Sequence, residues 1–110
     1  MEEWRDIPGY EGLYQVSDLG NVRSLNGFGF KGKIHVLKPG EVRGYKHVRL
    51  YKNDRLKTHR IHLLVAMAFF GHKPNSKIVV DHIDDNSLNN RLDNLQIITQ
   101  SENVKKSYKS

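Results

Sequence analysis

Alternating apolar and polar residues predict β-strands in the first quarter of the chain. Residues 13–17 (LYQVS) mix aromatic and β-branched residues with polar ones, and residues 22–25 (VRSL) follow after a turn that contains Gly20. Short runs of this kind on either side of turn residues are typical of a β-hairpin. We therefore expect a small β unit over residues 1–27, with Trp4 packed against the hairpin.

A longer and strongly basic hairpin is predicted over residues 45–60. In its first strand, YKHVRLYK, Val48 and Leu50 share one face and the residues between them form the other. Asn53-Asp54 suits a two-residue turn between the strands. The tyrosines and cations of this hairpin favour contact with a nucleic acid. A half-buried hairpin with a solvated polar face would explain the same pattern.

Residues 61–70 (IHLLVAMAFF) are apolar on nearly every side of a helix, which predicts a buried core helix. Gly71 suits the position just after a helix end, and Pro74 follows soon after. His62 lies in the first turn of this helix. A hydrogen-bonded structural histidine is the plainer interpretation of that position.

The last third of the chain predicts a ββα unit over residues 77–108. A short apolar strand ends at Asp81-His82, a polar loop follows, and a second apolar run continues the chain. Thr99 and Glu102 then form a capping box, whose side chains bond the free N–H groups at a helix start. Asn103 therefore lies in the first full turn of this helix. The predicted fold class is α+β.

Size and composition exclude several kinds of protein. A chain of 110 residues predicts one domain, or one domain with a small appendage, and the absence of cysteine excludes disulfides, zinc ribbons and thiol catalysis. The acidic start, MEEWRD, lacks the apolar core of a signal peptide. The longest apolar run, residues 63–70, is far too short to cross a bilayer. We expect a protein of the cytoplasm that does not contact a membrane.

The distribution of charge indicates a polyanion as partner and a cation in one loop. The net charge is +6, and residues 31–60 hold ten Lys or Arg against Glu41 and Asp54. Such a surface attracts phosphates through charge and counterion release. Residues 81–93, in contrast, carry four aspartates against Arg91. An ordinary basic protein with a solvated acidic loop is the alternative.

Asp81 and Asn103 are expected to meet where the first strand of the ββα unit ends against the helix. Both supply hard oxygen ligands, which suit Mg²⁺, Mn²⁺ or Ca²⁺ bound with several waters. His82 beside them carries an imidazole, the side chain that most often takes a proton from water near neutral pH. The sequence therefore predicts a metal-dependent phosphodiesterase site.

Other interpretations of this loop fit less well. A calcium loop of the EF-hand type starting at Asp81 needs an oxygen ligand third, glycine sixth and glutamate twelfth, where the chain has Ile83, Asn86 and Leu92. A zinc site needs more histidines, or cysteines, at suitable spacing. An asparagine-rich loop with an incidental histidine is the remaining alternative.

The motif residues resemble the HNH nucleases of phage and intron-encoded homing endonucleases. The resemblance rests on Asp81-His82-Ile83-Asp84, Asn89-Asn90, Asp93-Asn94-Leu95 and Asn103 in the ββα unit, on residues 62–66 in the helix before it, and on Trp4, Ile7 and residues 9–24 near the N-terminus. Residues 9–24 are similar to the short module that accompanies such nucleases. The resemblance divides the chain into an N-terminal module (1–27) and an HNH domain (28–110), expected to form one compact unit.

The resemblance implies a ββα-metal fold that hydrolyses double-stranded DNA to 5′-phosphate and 3′-hydroxyl ends. It implies His82 as general base, Asp81 and Asn103 as ligands of one divalent metal ion, Mg²⁺ or Mn²⁺, and Asn94 as the residue that holds the loop and orients His82. The expected DNA-binding residues are Arg43, Lys46, Arg49, Lys52, Arg55, Lys57, Arg60, His62, Lys105 and Lys106.

Relatives of this kind usually continue into a helical segment that reads DNA sequence, whereas this sequence ends at Ser110. We therefore expect a minimal nicking nuclease, a shortened chain or a protein that works with a partner. One site per chain cleaves one strand, so that double-strand cleavage needs a homodimer or two visits by a monomer. The alternative is a non-catalytic DNA-binding protein with a degenerate HNH fold.

Overall fold

The computed structural model describes residues 2–25, 34–73 and 78–99, which form three small antiparallel sheets around one α-helix. This mixture of strands and helix confirms the predicted α+β class. None of the described helices is long and apolar enough to cross a lipid bilayer.

The first sheet contains the predicted N-terminal hairpin. Its strands are β1 (Trp4–Asp6), β2 (Tyr14–Ser17), β3 (Val22–Ser24) and β4 (His35–Val36), arranged in that order. The turn between β2 and β3 requires Gly20, whose φ of +85° is costly for residues with a side chain. Because β4 pairs with β3, this sheet extends past the predicted module end at residue 27.

The second sheet contains the predicted basic hairpin. Its strands are β5 (Gly40–Val42), β6 (Tyr45–Lys52) and β7 (Arg55–Arg60). Lys52 pairs with Arg55 across a two-residue turn, in which Asn53 and Asp54 both have positive φ. This is the backbone of a type I′ turn, whose twist matches that of the strands. β5 adds a third strand to the expected ribbon of two.

The core lies between these two sheets and the helix α1 (Ile61–Phe69), which begins directly after β7. The helix ends before Gly71, which has a φ of +67°, as the sequence predicts. One cluster of buried side chains joins all the sheets to α1, and its members are Ile7, Tyr14, Val16, Val22, Val48, Leu50, Ile61, Leu64, Val65, Ala66, Val80 and Leu95.

The third sheet is the ββ part of the predicted ββα unit. β8 (Ile78–His82) pairs with β9 (Leu95–Thr99), and a short 3₁₀ helix, Leu92–Asn94, precedes β9. Thr99, predicted as the helix cap, ends β9, and an N-cap residue also has extended backbone angles. The predicted helix, with Glu102 and Asn103, lies outside the described residues.

Candidate functional site

His82 lies at the end of β8 and faces a histidine of α1 and a tyrosine of β6. Val80 and His82 are buried on the same side of the strand, because alternate residues of a strand share a face. The ring centre of His82 is 4.9 Å from that of His62 and 6.2 Å from that of Tyr45. These three rings form an aromatic cluster at the end of the strand that carries Asp81-His82.

The His82 ring is held by an asparagine of the following loop. Its Nε2 lies 2.9 Å from Oδ1 of Asn90. Both side chains are buried, with 7% of His82 and 4% of Asn90 exposed. The sequence predicts that Asn94 orients His82, whereas the hydrogen bond at Nε2 is accepted by Asn90.

Asn94 instead bonds the loop between β8 and β9. Its Oδ1 accepts the N–H of Asp84 at 3.1 Å, and its Nδ2 donates to Asp84 Oδ1 and to the carbonyl of Asn89, both at 2.9 Å. Its own carbonyl accepts the N–H of Ile83 at 2.7 Å. One buried side chain thus joins the start of the loop to its end.

Asp84 completes this network as an ionised carboxylate. Hydrogen bonds from the Asn89 side chain, the Asn86 backbone and the Asn94 side chain lower the pKa of Asp84. These donors favour the charged form because they point at its oxygens. Asp84 therefore shapes the loop.

Asp81 supplies a carboxylate beside His82. Its Oδ2 accepts a hydrogen bond of 2.8 Å from Nε2 of Gln96, the residue opposite it in β9. A half-buried carboxylate fixed at the end of a strand suits a hard divalent cation that keeps several waters. Within residues 2–25, 34–73 and 78–99, no three His, Asp or Glu side chains come together as a metal site. The second predicted ligand, Asn103, lies outside these ranges.

His62, which is expected to contact phosphate or to play a structural role, is buried. Only 6% of this residue is exposed, and its Nδ1 has no hydrogen-bond partner among the described residues. Burial first, then the charges of His82 and Arg60, lower the pKa of His62 to about 4. At neutral pH it is therefore an uncharged ring that packs against His82, and its role as a DNA contact stays a prediction.

The basic hairpin presents two different faces. On the site face, Arg49 and Arg60 are exposed, and the guanidinium of Arg60 lies 4.5 Å from the ring centre of Tyr45, which adjoins His82. Arg43, in the turn before β6, is exposed as well.

The opposite face, near the hairpin tip, borders an open cleft of about 640 Å³. Lys52, Arg55 and Lys57 line it together with Gly9 and Tyr10 of the N-terminal sheet. Lys52 Nζ donates to the Gly9 carbonyl at 2.5 Å. Lys46 is half-buried in a smaller cavity beside Asn90. The predicted contacts Lys105 and Lys106 lie outside the described residues.

Sequence reasoning missed Asn90, Tyr45 and Gly20 as neighbours of the site. The alternation of β6 puts Tyr45 on the face opposite Val48 and Leu50, but which element meets that face depends on the fold. Asn90 is one of several asparagines in the loop, and no local pattern separates it from the others. Gly20 is marked only as a turn residue.

The sequence matches two described families along most of its length. The NUMOD4 motif matches residues 2–51, and HNH endonuclease matches residues 59–105. DNA endonuclease I-HmuI of Bacillus phage SP01 is 43% identical over 103 residues, which are 93% of this chain and 55% of that protein. The uncharacterized HNH endonuclease L247 of Acanthamoeba polyphaga mimivirus is 39% identical over 107 residues, 94% of this chain and 25% of that one.

A solved structure has the same fold. The structure described as "DNA binding and cleavage by the HNH homing endonuclease I-HmuI" matches with a TM-score of 0.82 and 40% identity, covering 97% of this chain and 58% of that one. The chain thus spans between a quarter and about three fifths of the length of these relatives.

Proposed function

We propose that this chain, which belongs to the HNH endonuclease family, hydrolyses phosphodiester bonds of double-stranded DNA with a divalent metal ion and His82 as general base. The observation that carries the proposal is the arrangement at the end of β8. His82 is buried and held at Nε2 by Asn90, and the carboxylate of Asp81 precedes it. A fixed imidazole beside a fixed carboxylate suits proton abstraction next to a bound cation.

In this proposal His82 takes a proton from the attacking water. Asp81 and Asn103 would hold one Mg²⁺ or Mn²⁺ ion, which would stabilise negative charge on the scissile phosphate and the departing oxygen. Asn94 keeps the loop after His82 in place through its bonds to Asp84 and Asn89. Neutral His62 and the ring of Tyr45 keep water from one side of His82.

The DNA backbone lies along the site face of the hairpin. Arg49 and Arg60 are exposed there, and Tyr45 links that face to His82. Arg43, Lys105 and Lys106 extend the contact, and Lys46, Lys52, Arg55 and Lys57 add positive charge around it. A monomer cleaves one strand, and a homodimer cleaves both. Such a substrate is found in the cytoplasm of a bacterial or phage-infected cell.

Plasmid cleavage tests the proposal. Wild type incubated with supercoiled plasmid and Mg²⁺ or Mn²⁺ should give nicked or linear DNA, and a chelator should stop it. His82→Ala should lower the rate by about 100-fold or more and still bind DNA. His35→Ala, a matched change in β4 far along the chain from the motif, should cleave like wild type.

The competing function is a DNA-binding protein that has lost catalysis. It predicts that wild type shifts DNA in a gel but leaves the plasmid intact with every divalent ion. That result would refute the enzyme proposal.

A further inference from the structure

The contact between His82 and Asn90 determines which nitrogen of the imidazole is basic. An amide oxygen can only accept a hydrogen bond, so Nε2 of His82 must donate its proton to Oδ1 of Asn90 across the 2.9 Å separation. In the neutral ring the basic lone pair is then on Nδ1. Asn90 thus selects the tautomer as well as the orientation of the ring.

The amide of Asn90 is only half used. Its Nδ2 is buried and has no hydrogen-bond partner among the described residues. A buried donor without a partner costs free energy, and such groups in a folded protein call for an explanation. The hydrogen bond between Oδ1 and His82 explains why an amide is buried here, because that bond requires a carbonyl oxygen at this position.

The N-terminal sheet holds the backbone of Asn90 from the other side. The β2–β3 turn approaches so closely that a Cβ on Gly20 would lie 2.9 Å from the Asn90 carbonyl oxygen and 3.0 Å from its Cβ. In the same turn, the carbonyl of Asp18 accepts the N–H of Leu92 at 2.7 Å. Two adjacent contacts therefore fix the loop at the residue that bonds His82.

We propose that Asn90 is a positioning residue for His82 and that the turn at Asp18 and Gly20 fixes Asn90 in place. The N-terminal sheet is then a structural part of the catalytic site, in addition to any contact that it makes with DNA. This inference rests on the proposed function, because it states which nitrogen of the general base carries the proton and which one is basic.

The tautomer of His82 is the direct test, and it needs neither metal nor DNA. Two-bond ¹H–¹⁵N spectra of the full chain, recorded at a pH where the His82 signals are those of the neutral ring, should show the proton of His82 on Nε2. In Asn90→Leu, which keeps the branching of the side chain but removes the acceptor, the spectrum should shift toward a mixture of tautomers. A proton on Nδ1 in wild type would overturn the proposal, whether or not the variant folds.

Kinetics of the same variant test the consequence. With the acceptor removed, kcat should fall about 10- to 100-fold, while the Kd for a DNA duplex changes less than about twofold, because remote positioning groups act on the chemistry. Unchanged kcat in Asn90→Leu would refute a positioning role. If wild type does not cleave at all, the proposed function fails, and the tautomer spectra still decide the assignment of Asn90.

A pair of glycine substitutions tests the role of the N-terminal turn. Gly20→Ala and Gly12→Ala place a side chain at similar positive φ, +85° and +80°, but a Cβ at Gly12 has no atom within 4 Å. Backbone strain is therefore matched, and only Gly20→Ala presses on Asn90. Gly20→Ala should reduce kcat about tenfold or more relative to Gly12→Ala and should move the His82 ring signals. Equal kcat and equal His82 signals in the two variants would refute the contribution of the turn.

Discussion

At the scale of single residues, His62 and His82 show how surroundings divide the roles of two neighbouring histidines. Their rings lie 4.9 Å apart, but His82 has a hydrogen-bond partner at Nε2, whereas Nδ1 of His62 has none among the described residues. A second positive charge next to His82 would oppose protonation of the general base during catalysis. An uncharged His62 avoids that repulsion.

The lowered pKa of His62 makes stability depend on pH. Unfolded His62 binds its proton near the ordinary value of 6.5, and folded His62 only near 4. As pH falls from 6.5 to 4, the unfolded state gains the proton first, so the contribution of a neutral His62 is full above 6.5 and is lost in this window. Between pH 6.5 and pH 4, we expect the unfolding free energy of wild type to fall by roughly 3 kcal/mol more than that of His62→Leu. Urea unfolding at several pH values measures this difference.

A matched variant isolates this effect. His47→Leu removes a half-exposed histidine of β6. The difference in unfolding free energy between this variant and wild type should change much less over the same pH range. If His62→Leu and wild type lose stability in parallel, His62 is not held neutral by burial.

The part of the site that is formed by residues adjacent in sequence could be predicted. The part that is formed by contacts between distant residues could not. Asp81-His82 directly follows an apolar strand, so local pattern alone indicates a base and a carboxylate at a strand end. The choice between Asn90 and Asn94 as the partner of His82 depends on how the loop curls back. That path depends on residues far away in the sequence. Gly20 in the β2–β3 turn approaches Asn90, and the Gly44 carbonyl before β6 accepts a hydrogen bond from the Ser87 hydroxyl.

At the scale of elements, the loop between β8 and β9 is held by Asn94. Asn94→Ala removes two donors and an acceptor and leaves the Asn89 carbonyl without its amide partner. We expect a loss of about 1–3 kcal/mol of unfolding free energy together with reduced cleavage, measured by urea unfolding and plasmid nicking.

Asn86→Ala is the control for this loop. Asn86 is exposed, and among the described hydrogen bonds its side chain accepts only the N–H of nearby Leu88. We therefore expect Asn86→Ala to lower the unfolding free energy by less than about 1 kcal/mol. Equal losses of unfolding free energy in the two variants would show that Asn94 has no special role in holding the loop.

The two faces of the basic hairpin should contribute differently to DNA binding. Arg49 and Arg60 lie on the face that adjoins His82 through Tyr45, whereas Arg55 and Lys57 lie toward the cleft at the tip. Arg49→Gln/Arg60→Gln and Arg55→Gln/Lys57→Gln remove the same charge. The first pair should weaken duplex binding more and reduce the slope of log K against log salt by about 2, since each lost phosphate contact changes it by about 0.9.

Fluorescence anisotropy with a labelled duplex and a chelator measures this without cleavage. A larger loss from Arg55→Gln/Lys57→Gln would place the DNA on the tip face and contradict the proposed path.

Strands with strong alternation were predictable together with their pairing, whereas the pairing partners of the short edge strands were not. The hairpin from Tyr45 to Arg60 has the predicted turn and pairing because its pattern fixes both the faces and the register. β4 and β5 have only two and three residues. Their partners, β3 and β6, are determined by the sheets that they complete.

At the scale of the whole molecule, the N-terminal sheet and the remaining elements share one core. Ile7 and Val16 are fully buried in the same cluster as Leu50 and Leu64. Polar contacts reinforce this junction, because the Tyr14 hydroxyl accepts the N–H of Tyr51 at 3.1 Å. The division at residue 27 therefore follows a family resemblance, whereas the apolar packing continues across it.

A shared core predicts a single unfolding transition. The only tryptophan, Trp4, lies in β1 and stacks with Arg23, whose guanidinium is 4.2 Å from its ring centre. Its fluorescence therefore reports on the N-terminal sheet, whereas far-ultraviolet circular dichroism at helical wavelengths reports mainly on α1 and the other helical residues.

Because Ile7 and Val16 pack with Leu64 of α1, removing either part exposes apolar surface of the other. The two signals should change at the same urea concentration, which is the mark of two-state unfolding. An earlier transition of Trp4 would show that the N-terminal sheet unfolds alone, and the turn at Gly20 could then be lost while the rest of the molecule stays folded.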